Sequence, residues 1–337
     1  MIDLTTNYLG LKLANPLVPS ASPLSKDVDS ARRLEDAGAS ALVVYSLFEE
    51  KIESEAQQME RFFYQQAIGH GEADSFHPVS NNIQTYQEKY LTHLQKLKSA
   101  LSIPVIASLN GTSLNGWVDY GQQLEQVGAD ALELNIYHLA ANGEESSDAV
   151  ENRYLDILRE LKAHVSVPIA MKISAQFSSP IHFAKRLEAA GANGITIFNR
   201  FYQPDIDLDT LQVVPKLELS SASEALLRIR WTALLYGWTT LSIGVTGGFH
   251  ETPDIVKALL AGADVVQLCS VLLKEGVGRL TEILTELEYW LIEHEYKSIE
   301  QLKGSVSQQN AIDPSAYERA NYVQILDNYS GATGVLR

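Results

Sequence analysis

The chain carries one cysteine, Cys269, among 337 residues. A disulfide within the chain needs two, and thiolate metal centres or iron–sulfur clusters need more, so this sequence cannot build any of them alone. No other cluster of metal ligands is read from it. Cationic residues are scarce too, with 26 Lys and Arg against 42 Asp and Glu and a formal charge of −16. Nucleic-acid binding draws on clustered positive charge, so a nucleic-acid partner is not expected. No apolar run reaches the roughly 18 residues of a membrane span. The opening MIDLTTNYLG lacks the basic and apolar regions of a signal peptide. The expectation is a cytoplasmic protein that handles small molecules away from membranes. One further absence bears on fold: no glycine-rich turn follows the first apolar run, NPLVPS at 15–20, as a dinucleotide-binding sheet would require.

What is present is a recurring phrase: leucine, small or acidic residues, Gly-Ala, then an apolar run. It appears at 34–46, 124–136, 187–199 and 259–270. Each copy reads as a helix end capped by glycine and followed at once by a buried strand. IPVIASL (103–109), VPIAMKI (167–173), NPLVPS (15–20) and TLSIGV (240–245) bring the strands to eight. Helical patterns lie between most of them, at 84–100, 115–127, 148–163, 180–190, 224–237 and 252–261. Short apolar strands alternating with helices predict a parallel sheet buried on both faces, and eight predict a closed (β/α)8 TIM barrel. One barrel domain is expected over 1–296. The polar tail 297–337 is expected to pack on it or to lie at an oligomer interface. Long connections follow strand two (47–83) and strand six (200–223), at the end where barrels place substrate loops.

Strand ends in such a barrel converge on one mouth, and here they are polar after apolar runs. They include Ser20, Ala21 and Ser22; Tyr45 and Ser46; Ser108 and Asn110; Asn135, Tyr137 and His138; Lys172; Asn199 and Arg200; Thr246, Gly247 and Gly248; Cys269 and Ser270. Gly247-Gly248 precedes a helix, a combination suited to an anion such as phosphate; a plain tight turn is the competing reading. Lys172 closes the buried run PIAMK and needs an anion, either a ligand or a neighbouring strand-end acid, while Glu133 alternates with apolar residues and reads as a structural pair for a lysine. Asn135 and Asn199 offer donors and acceptors to a heteroaromatic ring, or to loop backbone. His138 directly follows strand four and has the chemistry of a general base, although a loop-packing histidine reads the same way. Cys269 reads as small packing.

These residues resemble the dihydroorotate dehydrogenase family of FMN-dependent barrels. NPLVPSASP (15–23) is similar to that family's first strand, ELN (133–135) to its "ELNxSCPN" and MK (171–172) to its "VKL". FN (198–199), GVTGG and QLCS match its later segments. The resemblance spans nearly the whole chain. It implies FMN, with Gly247, Gly248, Cys269 and Ser270 at the phosphate and Lys172 against the pyrimidine edge. Ser20, Ala21, Ser22, Ser46 and Asn110 would lie near the flavin. Asn135, Asn199 and Arg200 would face the substrate, a dihydroorotate-like ring, in a homodimer. The catalytic set it implies is Lys172, Asn135 and His138, the last standing where the family has a cysteine or serine base. Tyr45 replaces the family's lysine after strand two, and SFHPVSNN (75–82) is the nearest counterpart of its substrate loop.

Two classes of function follow. One is an FMN oxidoreductase passing electrons to fumarate or another soluble acceptor. The other is a flavin- or ligand-binding barrel without dihydroorotate turnover. A redox-free isomerase or lyase would need a strand-end carboxylate, which only Glu133 offers.

Overall fold

The computed structural model describes residues 2–58, 84–111 and 113–328. The stretch 75–82, proposed above as a substrate loop, lies outside them. Eight parallel strands form the barrel: β1 (Leu17–Pro19), β2 (Leu42–Val43), β3 (Val105–Asn110), β4 (Ala131–Asn135), β5 (Ile169–Ile173), β6 (Gly194–Ile197), β7 (Ser242–Thr246) and β8 (Val265–Leu268). Their order around the ring is β1-β8-β7-β6-β5-β4-β3-β2. At the seam between β1 and β2, the Ser40 amide and hydroxyl both donate to the Leu17 carbonyl, at 3.1 and 2.9 Å. Helices alternate with the strands as α1 (Val28–Asp36), α2 (Tyr86–Ala100), α3 (Leu114–Gln126), α4 (Ser147–Lys162), α5 (Pro180–Ala189), α6 (Ala225–Leu235), α7 (Thr252–Ala261) and α8 (Gly278–Glu293). The (β/α)8 barrel expected from the alternation is the observed fold.

The repeated Gly-Ala phrase has one physical cause. Gly38, Gly128, Gly191 and Gly262 all sit at positive φ, between 100° and 118°. At each, the following alanine amide reaches back to a carbonyl five residues earlier: Ala39 to Leu34, Ala129 to Leu124, Ala192 to Leu187 and Ala263 to Ala258, at 3.0–3.1 Å. This is the Schellman closure, which satisfies the last helix carbonyls and turns the chain straight into the next strand.

Strand alternation then sorts the barrel interior into layers. The lower layer includes Val18, Val43, Ile106, Ala131, Ala170 and Val265, packed with Tyr8, Leu9 and Leu13 of the N-terminal hairpin (Thr6–Tyr8, Leu11–Leu13). That hairpin is pinned where the Leu9 amide donates to Ser242 Oγ at 2.9 Å. Two residues further along each strand the same face carries Ser20, Ser108, Glu133, Lys172, Thr196 and Gln267, all buried. Apolar floor gives way to polar mouth within one step of the pleat.

Residues 299–308 return to the barrel, with amide bonds from Gly304 to the Leu259 carbonyl, Val306 to Leu260 and Gln308 to Ala233. Beyond β6, an antiparallel hairpin (Asp205–Asp207, Gln212–Val214) leaves Ile206, Leu208, Leu211 and Val213 exposed. Among the described residues no helix is long and apolar enough to cross a membrane.

Candidate active site

A cavity of about 860 Å³ opens at the carboxyl ends of the strands. Its wall contains almost every strand-end residue singled out from the sequence: Ser20, Ala21, Ser22, Ser46, Asn110, Asn135, Lys172, Asn199, Arg200, Gly247, Gly248, Cys269 and Ser270. The amine on β5 and the paired glycines after β7 therefore share one mouth.

Lys172 is 6% exposed and Glu133 1%. Register places Asn135 opposite Lys172 and Glu133 opposite Ala170, so the carboxylate approaches the amine from one layer below. Lys172 Nζ donates to Glu133 Oε1 at 3.1 Å. Glu133 Oε2 accepts from Gln267 Nε2 at 2.9 Å and Thr196 Oγ1 at 3.2 Å. The two readings of Lys172 from sequence are thus compatible, because it pairs with Glu133 and still borders the cavity. Beside it, Asn199 Nδ2 donates to Asn135 Oδ1, which sets the two carboxamides edge to edge.

Across the mouth, Gly247 and Gly248 both adopt φ +94°. A Cβ on Gly248 would lie 2.3 Å from the Ala225 backbone nitrogen, so the turn is built for glycine. The Gly248 amide meets Ser220 Oγ at 3.2 Å, Ser220 Oγ donates to Ser270 Oγ at 2.8 Å, and Lys274 Nζ holds the Ser220 carbonyl at 2.9 Å. Buried Arg228 donates to the Thr246 carbonyl at 3.1 Å. The first turn of α7 contributes less than its sequence suggests. Asp254 Oδ2 takes the His250 and Glu251 amides at 3.4 and 3.3 Å, so an acid of the helix already occupies those donors. The polar groups at the glycine turn are therefore Ser220 and Ser270.

Two of the strand-end residues are not in the cavity wall: Ser108, buried beneath it against Ser46, and His138. His138 Nε2 lies 2.9 Å from Glu145 Oε2 and its Nδ1 2.8 Å from Arg153 NH1, in the loop after β4. Arg153 also donates to Glu145 Oε1 at 2.6 Å. The hydrogen bond from His138, then the Arg153 charge, holds the Glu145 carboxyl below its ordinary range. Tyr137 does line the cavity; its hydroxyl accepts from the Tyr202 amide at 3.0 Å and its ring lies 4.2 Å from that of Phe201.

Tyr45 also borders the cavity, and burial pushes its phenol up to about 12, so it stays uncharged at neutral pH. Positive charge on that side comes from residues that the sequence reading passed over. Lys26 Nζ sits 5.5 Å above the Tyr45 ring, and Lys51 Nζ 5.6 Å from the Phe48 and Tyr86 rings. Burial raises the Cys269 thiol, against an opposing pull from Lys172, which agrees with a packing role at neutral pH. Gln267 was missed as well, although a glutamine inside VVQLC is a visible break in an apolar strand. Phe198 was missed because an aromatic after an apolar run looks like core; strand parity puts it on the mouth-facing side.

The protein-family model described as Dihydroorotate dehydrogenase matches residues 3–291. Among curated proteins, the chain is 25% identical over 312 residues to "Dihydroorotate dehydrogenase B (NAD(+)), catalytic subunit" of Thermoplasma acidophilum, covering 90% of this chain and 99% of that protein. The protein of the same name from Thermoplasma volcanium is 26% identical, covering 90% and 98%. "Dihydroorotate dehydrogenase A (fumarate)" of Lactobacillus delbrueckii subsp. bulgaricus is 25% identical over 276 residues, 80% of this chain and 88% of that protein.

Proposed function

Because the chain belongs to the dihydroorotate dehydrogenase family, we propose that it oxidises dihydroorotate or a closely related dihydropyrimidine, with FMN as its flavin. The observation that carries this reading is one cavity bordered by Lys172, the Asn135–Asn199 pair and the Gly247–Gly248 turn. The residues suit FMN. Lys172 has Glu133 as its one acceptor among the described residues, which leaves ammonium hydrogens for a ligand in the cavity. The turn bordering the cavity is one that only glycine can form, since a Cβ on Gly248 would collide with the Ala225 and Glu224 backbone.

When bound, FMN supplies the hydride-accepting chemistry, which no side chain can provide. Lys172 would face the pyrimidine edge and stabilise negative charge there. Gly247, Gly248, Cys269 and Ser270 would surround the phosphate, with Ser20, Ala21, Ser22, Ser46 and Asn110 along the remainder of the cofactor. Asn135 and Asn199, already fixed against each other, would present carboxamide edges to the substrate ring, with Arg200 at its margin. Buried Phe198 and half-exposed Tyr137 and Tyr202 line the cavity with aromatic surface that would limit water. Lys26 and Lys51 place positive charge where Tyr45 has none, which suits an anionic substrate.

His138 is the proposed proton acceptor, its ring nitrogens now facing Glu145 and Arg153. His138→Ala should slow flavin reduction by substrate about 10²-fold while leaving reoxidation unchanged. Stopped-flow measurement of the two half-reactions checks this. An intact reductive rate, with a loss in Tyr137→Phe, would move the role to Tyr137.

The electron acceptor belongs to the proposal as a soluble one, as do a cytoplasmic location and a homodimer of twice the 37.2 kDa chain. The test is an absorbance spectrum of the purified protein under anaerobic conditions. Flavin bands that bleach on adding dihydroorotate and recover with fumarate or NAD+ are expected. Flavin bands indifferent to dihydroorotate would leave the binding-module reading instead.

A further inference from the structure

Glu133 is placed to do more than neutralise a lysine. Its carboxylate lies in the barrel interior, 1% exposed, and receives three hydrogen bonds: Lys172 on Oε1, Gln267 and Thr196 on Oε2. The donors are themselves held. Ser20 Oγ donates to Gln267 Oε1 at 3.3 Å, and buried Tyr8 meets Thr196 Oγ1 at 3.2 Å from the hairpin under the barrel. Among the described residues Tyr8 is a titratable neighbour of Glu133 and Cys269 one of Lys172. Burial raises both, so each is uncharged at neutral pH. The net charge that this polar layer shows the cavity is therefore decided by one cation and one anion.

We infer that Glu133 is a positioning residue that aims Lys172 into the cavity and offsets part of its charge, and so sets the redox potential of the cofactor bound there. The inference rests on the flavin reading above. A lone buried ammonium would favour the anionic reduced cofactor strongly. A carboxylate 3.1 Å behind it weakens that preference, because both charges act through the same low-dielectric space. The two donors on Oε2 in turn limit how far the carboxylate draws the lysine back. The layer works as a graded counterweight: more donors on Glu133 leave more of Lys172's charge for the cavity.

Glu133→Gln preserves shape and keeps an oxygen for Lys172. Its amide can be satisfied if the Gln267 amide turns over and Thr196 donates to Tyr8. The test measures flavin midpoint potential against a reference dye. Glu133→Gln should favour reduced flavin by about tenfold, roughly 30 mV upward for a two-electron couple. Lys172→Met should move the potential downward, and Glu133→Gln should raise the Lys172→Met potential by less than it raises the wild type, since part of the effect of Glu133 runs through the lysine. A Glu133→Gln potential equal to wild type overturns the inference. So does a Glu133→Gln rise as large on Lys172→Met as on wild type, which would mean that none of the effect runs through the lysine. If Glu133→Gln fails to fold, Gln267→Met carries the test: stripping a donor from the carboxylate should lower the potential, and no change or a rise overturns the inference. Wild-type protein that takes up no FMN on titration would instead sink the flavin reading itself. Flavin that binds and is reduced normally, with an unmoved Glu133→Gln potential, sinks only the role of Glu133.

Discussion

Lys172→Ala is expected to slow flavin reduction by about 10²- to 10³-fold, the usual cost of removing one charged or hydrogen-bonding group from a site where negative charge develops. The same change should also destabilise the fold, because Glu133 would keep its place in the barrel interior with two donors and no counterion. Breaking a buried pair from one side costs about 3–5 kcal/mol, whereas replacing both partners costs much less. The two effects separate in a short series. Lys172→Ala should lower both the melting temperature and the reductive rate. Lys172→Met combined with Glu133→Gln should recover most of the stability and none of the rate. Stopped-flow reduction and thermal unfolding followed in parallel decide it. A single variant with wild-type flavin content and rate would remove Lys172 from the site.

The second large effect is expected at Gly248. An alanine there meets the Ala225 nitrogen at 2.3 Å and the Glu224 carbonyl carbon at 2.9 Å, both backbone, and must also hold φ near +94°. Left-handed strain of about 1–2 kcal/mol adds to a clash that no rotamer change relieves. The turn has to move, and the Ser220–Ser270 pair beside it moves too. FMN affinity should fall at least about 10²-fold, read by titrating the apoprotein and following flavin fluorescence. Gly247→Ala should cost less, since its Cβ meets the Arg228 guanidinium at 3.0 Å instead of backbone. Gly143→Ala, in open space, is the control and should bind FMN as wild type does. Equal affinity in Gly248→Ala would mean that the phosphate lies elsewhere.

Much of this architecture was legible because the barrel repeats its solution. Four Gly-Ala phrases gave four strand starts, since a left-handed residue and a returning amide are needed wherever a helix must stop and a buried strand begin at once. Period-two alternation accounts for several mouth residues too: Ser20, Ser108, Glu133, Lys172 and Gln267 each stand two steps beyond an apolar floor residue. The partner of Lys172 was harder to read. Glu133 was visible as an acid in an apolar run, but which strand-end group it would meet depends on the stagger between β4 and β5. That offset is set by closure of the whole ring, and no local pattern reports it. The direction of the His138 side chain was illegible for another reason. Beyond Asn135 the chain leaves the sheet, parity ceases to predict direction, and a histidine one residue from a cavity-lining tyrosine turned instead toward Glu145 and Arg153. At α7 the acids were correctly read as opening the helix, but an acid that opens a helix also uses its free amides, as Asp254 does with those of His250 and Glu251.

The four identical helix-to-strand returns at 38, 128, 191 and 262 have an evolutionary consequence. Each is as short as a turn can be and depends on a single backbone shape, so that end of the molecule tolerates neither insertion nor drift. Changes in chain length must accumulate at the opposite end, where 47–83 and 200–223 already depart from the minimum. A relative could acquire a new substrate by exchanging those two excursions while the ring beneath them stayed the same.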